Sequence, residues 1–312
     1  MNYPLNWPHK FNDNNSAYQK QVIVNMHLKS VAIFAKRHDP RCQGVADDLI
    51  NWLEEKSCLP LVEGHLARLI SYPRVLTDEE IREQAELVVV LGGDGTLISV
   101  ARLFSGKDVP IVAVNLGSLG FLTEVTVEEL YPLLEHCLNG EPRVSERMML
   151  EVTVNRDGHE IERCHVLNDM VINKGALARI VDLETKVNRH FLTTYKADGL
   201  IVSTPTGSTG YNMSAGGPIV HPLMSCILIT PICPHTLTNR PIVVTDESIV
   251  SITIASSFDE KVFLTLDGQV GFKLMQGDTI EVRKALKTTA LVMSKDRDYF
   301  EVLRTKLKWG ER

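Results

Sequence analysis

The chain has no excess of positive charge. Its 312 residues carry 33 Lys and Arg against 39 Asp and Glu, a formal net charge of −6. That argues against nucleic acid as the main ligand, and an anionic substrate would need locally placed cations and backbone N–H groups. No apolar run approaches the ~18 residues of a membrane-spanning helix. Residues 1–25 are polar, rich in Asn, and lack the apolar centre of a signal peptide. They read either as a flexible N-terminal extension or as one that packs on the first domain. The six cysteines (Cys42, Cys58, Cys137, Cys164, Cys226, Cys233) form no CxxC pair, and no His spacing suggests zinc. The simplest reading is a cytoplasmic protein with reduced, mostly buried thiols and no protein-held metal site. Neither a Walker A loop nor a GxGxxG dinucleotide fingerprint is present.

What is there is enough apolar residue, 44%, to bury two cores in a chain longer than one core usually serves. From Ser30 to about Gly140 the pattern alternates strand and helix. Val31 to Ala35, Glu86 to Leu91 and Ile111 to Val114 suit buried parallel strands. Val45, Leu49, Trp52 and Leu53 recur at helical spacing, and Thr96 to Leu103 reads as another helix. Thr126 and Glu129 fit a capping box, with Gly140 at that helix's end. This predicts a doubly wound α/β domain with a mostly parallel sheet over 26–147.

After Met148 the period changes to two, as in Leu150, Val152 and Val154. Strand-like runs follow at Val181 to Val187, Leu200 to Ser203, Ile227 to Thr230, Ile249 to Ile254 and Val262 to Leu266. Asp157-Gly158 and Asp267-Gly268 are turn signals. A mainly β domain over 148–295, built as a sandwich, is expected. Phe300, Leu303 and Leu307 then mark a closing helix within 296–312, with a return to the first domain as one open placement.

Four blocks carry chemistry. Gly92-Gly93-Asp94-Gly95-Thr96 joins a strong strand to a helix, where glycines let backbone N–H groups approach phosphate oxygens. A carboxylate there can accept a proton or organise a metal–phosphate complex; the plainer reading is a tight turn with Asp94 as helix cap. Asn115-Leu116-Gly117-Ser118-Leu119-Gly120-Phe121-Leu122 should lie at the same sheet edge, with Phe121 either pressed on a ligand ring or buried under the loop. Asn168-Asp169 offers donors and acceptors suited to ribose hydroxyls, or else makes a turn. Lys196 to Pro218 packs hydroxyls and glycines after a strand, and Tyr211 can stack on a base.

In this order the blocks resemble the NAD kinase family, bacterial type, over roughly Leu87 to Pro241, including Pro234-His235-Thr236-Leu237 and Arg240-Pro241. The closing Leu303 to Trp309 is similar to the family's tail. The resemblance implies transfer of the γ-phosphoryl group of ATP to the 2′-hydroxyl of the adenosine ribose of NAD, with magnesium or another divalent metal on the ATP phosphates. It implies Asp94 as the base for that hydroxyl, with Gly92, Gly93 and Gly95 beside the reacting phosphate. Asn168 and Asp169 match the family's ribose pair, where other members often carry Glu in place of Asp169. Arg179 and Lys196 match positions near the dinucleotide phosphates. Asp198, Thr206, Thr209, Gly210, Tyr211, Asn212, Met213, Ser214 and Gln269 match further NAD contacts, with Ala frequent in the family where Gly210 stands. A homodimer or homotetramer, its site completed by a neighbouring subunit, is also implied. His165, His190, His221 and His235 are read as packing residues. Two other readings stay open: a lipid or sphingoid kinase, which shares the Gly-Gly-Asp-Gly loop, and a dinucleotide-binding regulator without catalysis.

Overall fold

A computed structural model describes residues 28–117, 120–140, 142–175, 180–255, 261–294 and 297–310. The N-terminal extension, Arg179 and the Ser118-Leu119 pair of the second block lie outside the described residues.

Apolar β-branched runs build a first six-stranded sheet in the order Leu59–Val62, Ser30–Ala35, Leu87–Leu91, Ile111–Val114, Thr289–Val292, Val144–Arg147. Neighbours are parallel except the last pair, which is antiparallel. Side chains alternate across the pleat. Val31, Ile33, Val89 and Val112 face Leu49 and Leu53 of the helix Arg41–Glu55 and Leu130 and Leu134 of the helix Val127–Leu138. Phe34, Val88, Val90 and Ala113 face Leu97, Ile98 and Ala101 of the helix Asp94–Leu103. The helix Val127–Leu138 starts at Thr126, whose hydroxyl and the Glu129 carboxylate satisfy each other's backbone N–H groups.

Two further six-stranded sheets are antiparallel throughout. One runs His190–Ala197, Val181–Val187, Val250–Ile254, Thr279–Lys284, Leu150–Arg156, His159–Val166. The other runs Ile242–Thr245, Cys226–Ile232, Gly199–Ser203, Asp169–Lys174, Val262–Leu266, Val270–Leu274. They enclose one core: Leu150, Val152 and Ile252 from the first meet Ile172, Val202, Ile229 and Leu264 from the second. That is a sandwich. Asp157-Gly158 and Asp267-Gly268 both take positive φ at both residues (51° and 79°, 50° and 66°), the backbone of a tight type I′ hairpin turn. No helix among the described residues is long and apolar enough to cross a membrane.

One boundary differs from the sequence reading. Thr289–Val292 falls inside the span 148–295 assigned to the second domain, yet it inserts between Ile111–Val114 and Val144–Arg147 in the first sheet. Four apolar residues suit either sheet; what places them is the parallel register Leu291–Ile111 and Val292–Val112. The closing helix is Tyr299–Leu307, ended by Lys308 at φ 53°. It bridges both halves. Arg297 donates to the Glu124 carbonyl and pairs with Glu129 at 3.5 Å, while the Tyr299 hydroxyl donates to the Val220 carbonyl at 3.4 Å.

The halves also share an apolar seam: Met149 and Leu167, from the sandwich side, are buried in the first-domain cluster with Leu97, Phe104 and Leu122. Leu167→Ala is expected to cost about 3 kcal/mol, the usual loss for a fully buried leucine. Urea denaturation of the two proteins measures it; a change under about 0.5 kcal/mol would show that the seam carries no stability.

Candidate functional site

Gly92 and Gly93 end the buried strand Leu87–Leu91, and the following helix begins at Asp94 itself, two residues earlier than its apolar pattern indicates. Asp94 and Gly95 therefore occupy the first helical turn. The Asp94 carboxylate reaches across to the loop after Ile111–Val114. Oδ1 accepts from the backbone N–H groups of Leu122 (3.2 Å) and Thr123 (3.0 Å) and from the Thr123 hydroxyl (3.0 Å). Among the described residues Oδ2 accepts from the Phe121 N–H alone, at 2.9 Å. The Asn115 amide donates to the Thr123 hydroxyl at 3.1 Å, which orients that hydroxyl toward Asp94. A Cβ on Gly120 would run into the Asp94 carboxylate, so only glycine allows this approach. The plain cap reading of Asp94 is thus incomplete: its side chain holds a different segment. Phe121 is half-buried, its ring 5.7 Å from the Lys306 ammonium of the closing helix.

Behind that loop lies a buried pair that sequence patterns did not signal. Burial pushes the Glu124 carboxyl up to about 7, against the opposing pull of Arg147 and Arg297, with Asp94 adding to the rise. Arg147 is itself buried, and burial draws its guanidinium below the usual arginine value.

The second half of the site is a cavity of about 270 Å³ lined by Asn168, Asp169, Asn173, Tyr211, Thr265 and Asp267, among others. Asp267 positions the first two. Its carboxylate accepts from three consecutive backbone N–H groups, Leu167 (3.1 Å), Asn168 (2.8 Å) and Asp169 (3.1 Å). The Asp169 side chain is buried, and burial, with the Asp267 charge adding, pushes its carboxyl up to about 7. Burial also raises Asp267, and its three backbone bonds counter the rise.

The loop Thr206 to Ser214 closes over this pair. Gly207 packs so tightly on the Asn168 backbone that a Cβ would collide with its carbonyl. A Cβ on Gly210 would come within 3.3 Å of the Gly207 carbonyl, a tight contact, with Asn168 Nδ2 at 3.7 Å and Asp169 Oδ2 at 3.9 Å, so the alanine common elsewhere requires a small shift of the loop backbone. Two buried polar atoms here have no partner, Asn168 Oδ1 and Thr206 Oγ1. Such atoms are costly unless a ligand satisfies them. Tyr211 is 45% exposed and lines the cavity, a position suited to stacking.

Other sequence candidates are placed differently. Asn212 is buried and spent internally, donating to the Ser208 and Pro218 carbonyls and accepting from the Thr230 hydroxyl; it shapes the loop rather than facing the cavity. Thr209 is buried, its hydroxyl 3.5 Å from the Thr206 carbonyl. Met213 is half-buried and Ser214 exposed on the single helical turn Tyr211–Ser214, and neither lines the cavity. Lys196 pairs with Asp182 (3.6 Å) on the edge strand His190–Ala197, and Asp198 pairs with Lys174 (2.8 Å). Neither lines the cavity. Gln269 reaches the first domain, where its amide bonds Gly95, Ser99 and Arg102. Among the histidines, His221 stacks edge-on against Tyr299 and His165 lies 3.6 Å from Glu151, both packing roles.

Two matches then span this arrangement: the ATP-NAD kinase N-terminal domain over residues 22–142 and the ATP-NAD kinase C-terminal domain over residues 167–294. The chain belongs to the ATP-NAD kinase family. It is 70% identical to an NAD kinase of Trichlorobacter lovleyi, covering 91% of this chain and 100% of that one. It is 64% identical to an NAD kinase of Geobacter sulfurreducens at the same coverage. Among solved structures, yeast NADH kinase complexed with NADH superposes with a TM-score of 0.86 at 28% identity, covering 92% of this chain and 90% of the other. An NAD kinase from Archaeoglobus fulgidus in complex with ATP, 21% identical and with a TM-score of 0.68 over 89% and 98% of the two chains, shares the fold.

The Asp169 environment gives a signed pH dependence. Its carboxyl rises from an ordinary value of 3.8 to about 7 on folding. The folded state therefore holds a proton that the unfolded chain releases, so its relative stability is full below about pH 4 and declines as pH rises toward 7. Asp169→Asn should remove this slope and be more stable than the parent at pH 8, read from thermal melts of the ligand-free proteins across pH 4–8. Parallel melting curves for the two would contradict the buried-acid account.

Proposed function

We propose that the chain is an NAD kinase, transferring the γ-phosphoryl group of ATP to the 2′-hydroxyl of the adenosine ribose of NAD to give NADP and ADP. The observation that carries this is that Asn168 Oδ1, next to Asp169 at the cavity, is buried without a partner among the described residues, as is Thr206 Oγ1 in the loop packed on Asn168. A ribose diol supplies both donors and acceptors at such a spot. The hydroxyl-rich loop Thr206 to Ser214, packed on Asn168 and Asp169, counts against the lipid kinase reading.

In this scheme the ribose 2′-oxygen attacks the γ-phosphorus, the bond to the β–γ bridging oxygen breaks, and the hydroxyl proton leaves to a carboxylate. Asp94 Oδ2, with one hydrogen bond against three on Oδ1, has a lone pair left for that proton. Asn168, Asp169, Thr206 and Tyr211 bind and orient the nucleoside; Gly92, Gly93 and Gly95 leave the helix start open to phosphate. A divalent metal such as magnesium fits as a phosphate-held ion with few protein ligands. Among the described residues no group of three or more His, Cys, Asp or Glu could cage one, and Asp94, at the helix start beside Gly92 and Gly93, is the carboxylate that would lie nearest to it. When bound, the metal neutralises charge on the transferred group.

Asp94→Asn tests the scheme. The amide oxygen can keep the three bonds at Oδ1 and only the Phe121 N–H loses its acceptor, so three of the four loop bonds stay while proton acceptance is lost. NADP formation from NAD, ATP and magnesium should fall about 10²–10⁴-fold, with NAD binding retained in calorimetry. Near-normal turnover would sink the base role.

The scheme includes a homodimer or homotetramer in which a second copy completes the site. Lys196, 65% exposed on its side chain and away from the cavity of its own chain, is available to such a neighbour. Sedimentation should give a dimer or tetramer at assay concentration; a fully active monomer would refute it.

A further inference from the structure

The two halves of the site belong to different domains, and one side chain ties them at the site itself. Gln269 follows the Asp267-Gly268 turn and is exposed, yet its amide makes three bonds to the other domain. Its Nε2 donates to the Gly95 carbonyl at 2.7 Å. Its Oε1 accepts from the Ser99 hydroxyl at 2.6 Å and from Arg102 Nη2 at 2.9 Å. Arg102 Nη1 donates in addition to the Leu266 carbonyl at 3.2 Å, on the other side of the same turn. The amide orientation is fixed chemically: a carbonyl needs a donor, and a guanidinium needs an acceptor. Two residues earlier, Asp267 grips the backbone of Leu167, Asn168 and Asp169. One four-residue turn, Leu266 to Gln269, is therefore bonded both to the segment bearing the ribose-facing pair and to the helix turn bearing Asp94.

We infer that this turn is a positioning latch, with Gln269 and Arg102 setting the placement of Asp94 relative to the nucleoside cavity. The inference rests on the NAD kinase reading and assigns Gln269 a role apart from ligand contact. Stability does not call for the latch. The domains are already joined by the buried Met149 and Leu167 seam and by the strand Thr289–Val292, and exposed hydrogen bonds contribute little. Phosphoryl transfer does call for it. With little covalent chemistry for the protein to perform, rate depends on placement, and a misplacement of about 1 Å costs on the order of 10²-fold. The latch acts at the carbonyl of Gly95, next in sequence to the reacting carboxylate.

The test uses the full chain with Gln269→Ala, Arg102→Ala and the double variant. Gln269→Glu isolates the Gly95 contact, since it keeps both acceptor bonds and sets a carboxylate oxygen, with no proton to donate, against the Gly95 carbonyl. The expected result is a kcat about 10–100-fold lower in Gln269→Ala, NAD affinity by calorimetry within about threefold, and no recovery of kcat in Gln269→Glu. The double variant should be no slower than the slower single variant, because both residues serve one contact. Backbone hydrogen exchange at the start of the helix Asp94–Leu103 should also speed up in Gln269→Ala, whatever the substrate. A kcat within twofold of the parent, a loss confined to NAD affinity, or unchanged hydrogen exchange would each overturn the latch. Failure of the underlying reading is seen elsewhere: the parent protein itself would make no NADP, and the exchange measurement would still decide whether the turn holds the helix.

Discussion

The site depends on one kind of bond used twice: a carboxylate that accepts several successive backbone N–H groups from a loop far away in sequence. Asp94 does this to Phe121, Leu122 and Thr123, and Asp267 does it to Leu167, Asn168 and Asp169. Three converging N–H dipoles form a concave anion site, and here the anion is part of the protein. The bonds satisfy loop amides that would otherwise be buried without partners. They also fix loop shape more tightly than apolar packing can, because hydrogen bonds have direction. The segment bearing Asn168 and Asp169 and the loop packed beside Asp94 are both set in this way.

This use of charge has a cost, visible around the cavity. Asp169 stands close enough to Asp267 for their charges to repel, and burial raises both. A similar conflict lies behind the other loop, where Glu124 and Arg147 are both buried. Natural proteins retain such local conflicts where the chemistry needs them. Asn168 Oδ1 and Thr206 Oγ1 are buried without partners among the described residues, and so is the Tyr195 hydroxyl in the otherwise largely apolar sandwich core.

Much of this was legible in the sequence where local chemistry decides structure. The run Leu87 to Leu91 followed by glycines forms a central strand, Thr126 with Glu129 caps a helix, and Asp267-Gly268 makes a tight turn. Asn168-Asp169 and the hydroxyl-rich loop after Ser203 do meet. Less legible was anything set by long-range partners. Thr289–Val292 is too short for its pattern to name a sheet. Asn212 looks like a ligand residue in sequence, yet its amide is consumed by Ser208, Pro218 and Thr230. Glu124 and Arg147 carry no local pattern, since their burial arises from the closing helix folding over them. Arg102 reads as a surface residue at the end of its helix, and its partners lie more than 160 residues away.

The strand Thr289–Val292 has a consequence for how the protein is made. It separates Ile111–Val114 from Val144–Arg147 within the first sheet, so that sheet cannot close when its own segment leaves the ribosome. At typical elongation rates the gap lasts roughly 7–30 s, while about 140 further residues are added. The domain translated first is completed last, and the nascent chain carries an open sheet edge throughout. Synthesis of Thr289–Val292, and not emergence of the Gly-Gly-Asp-Gly loop, is the event that first lets that sheet close.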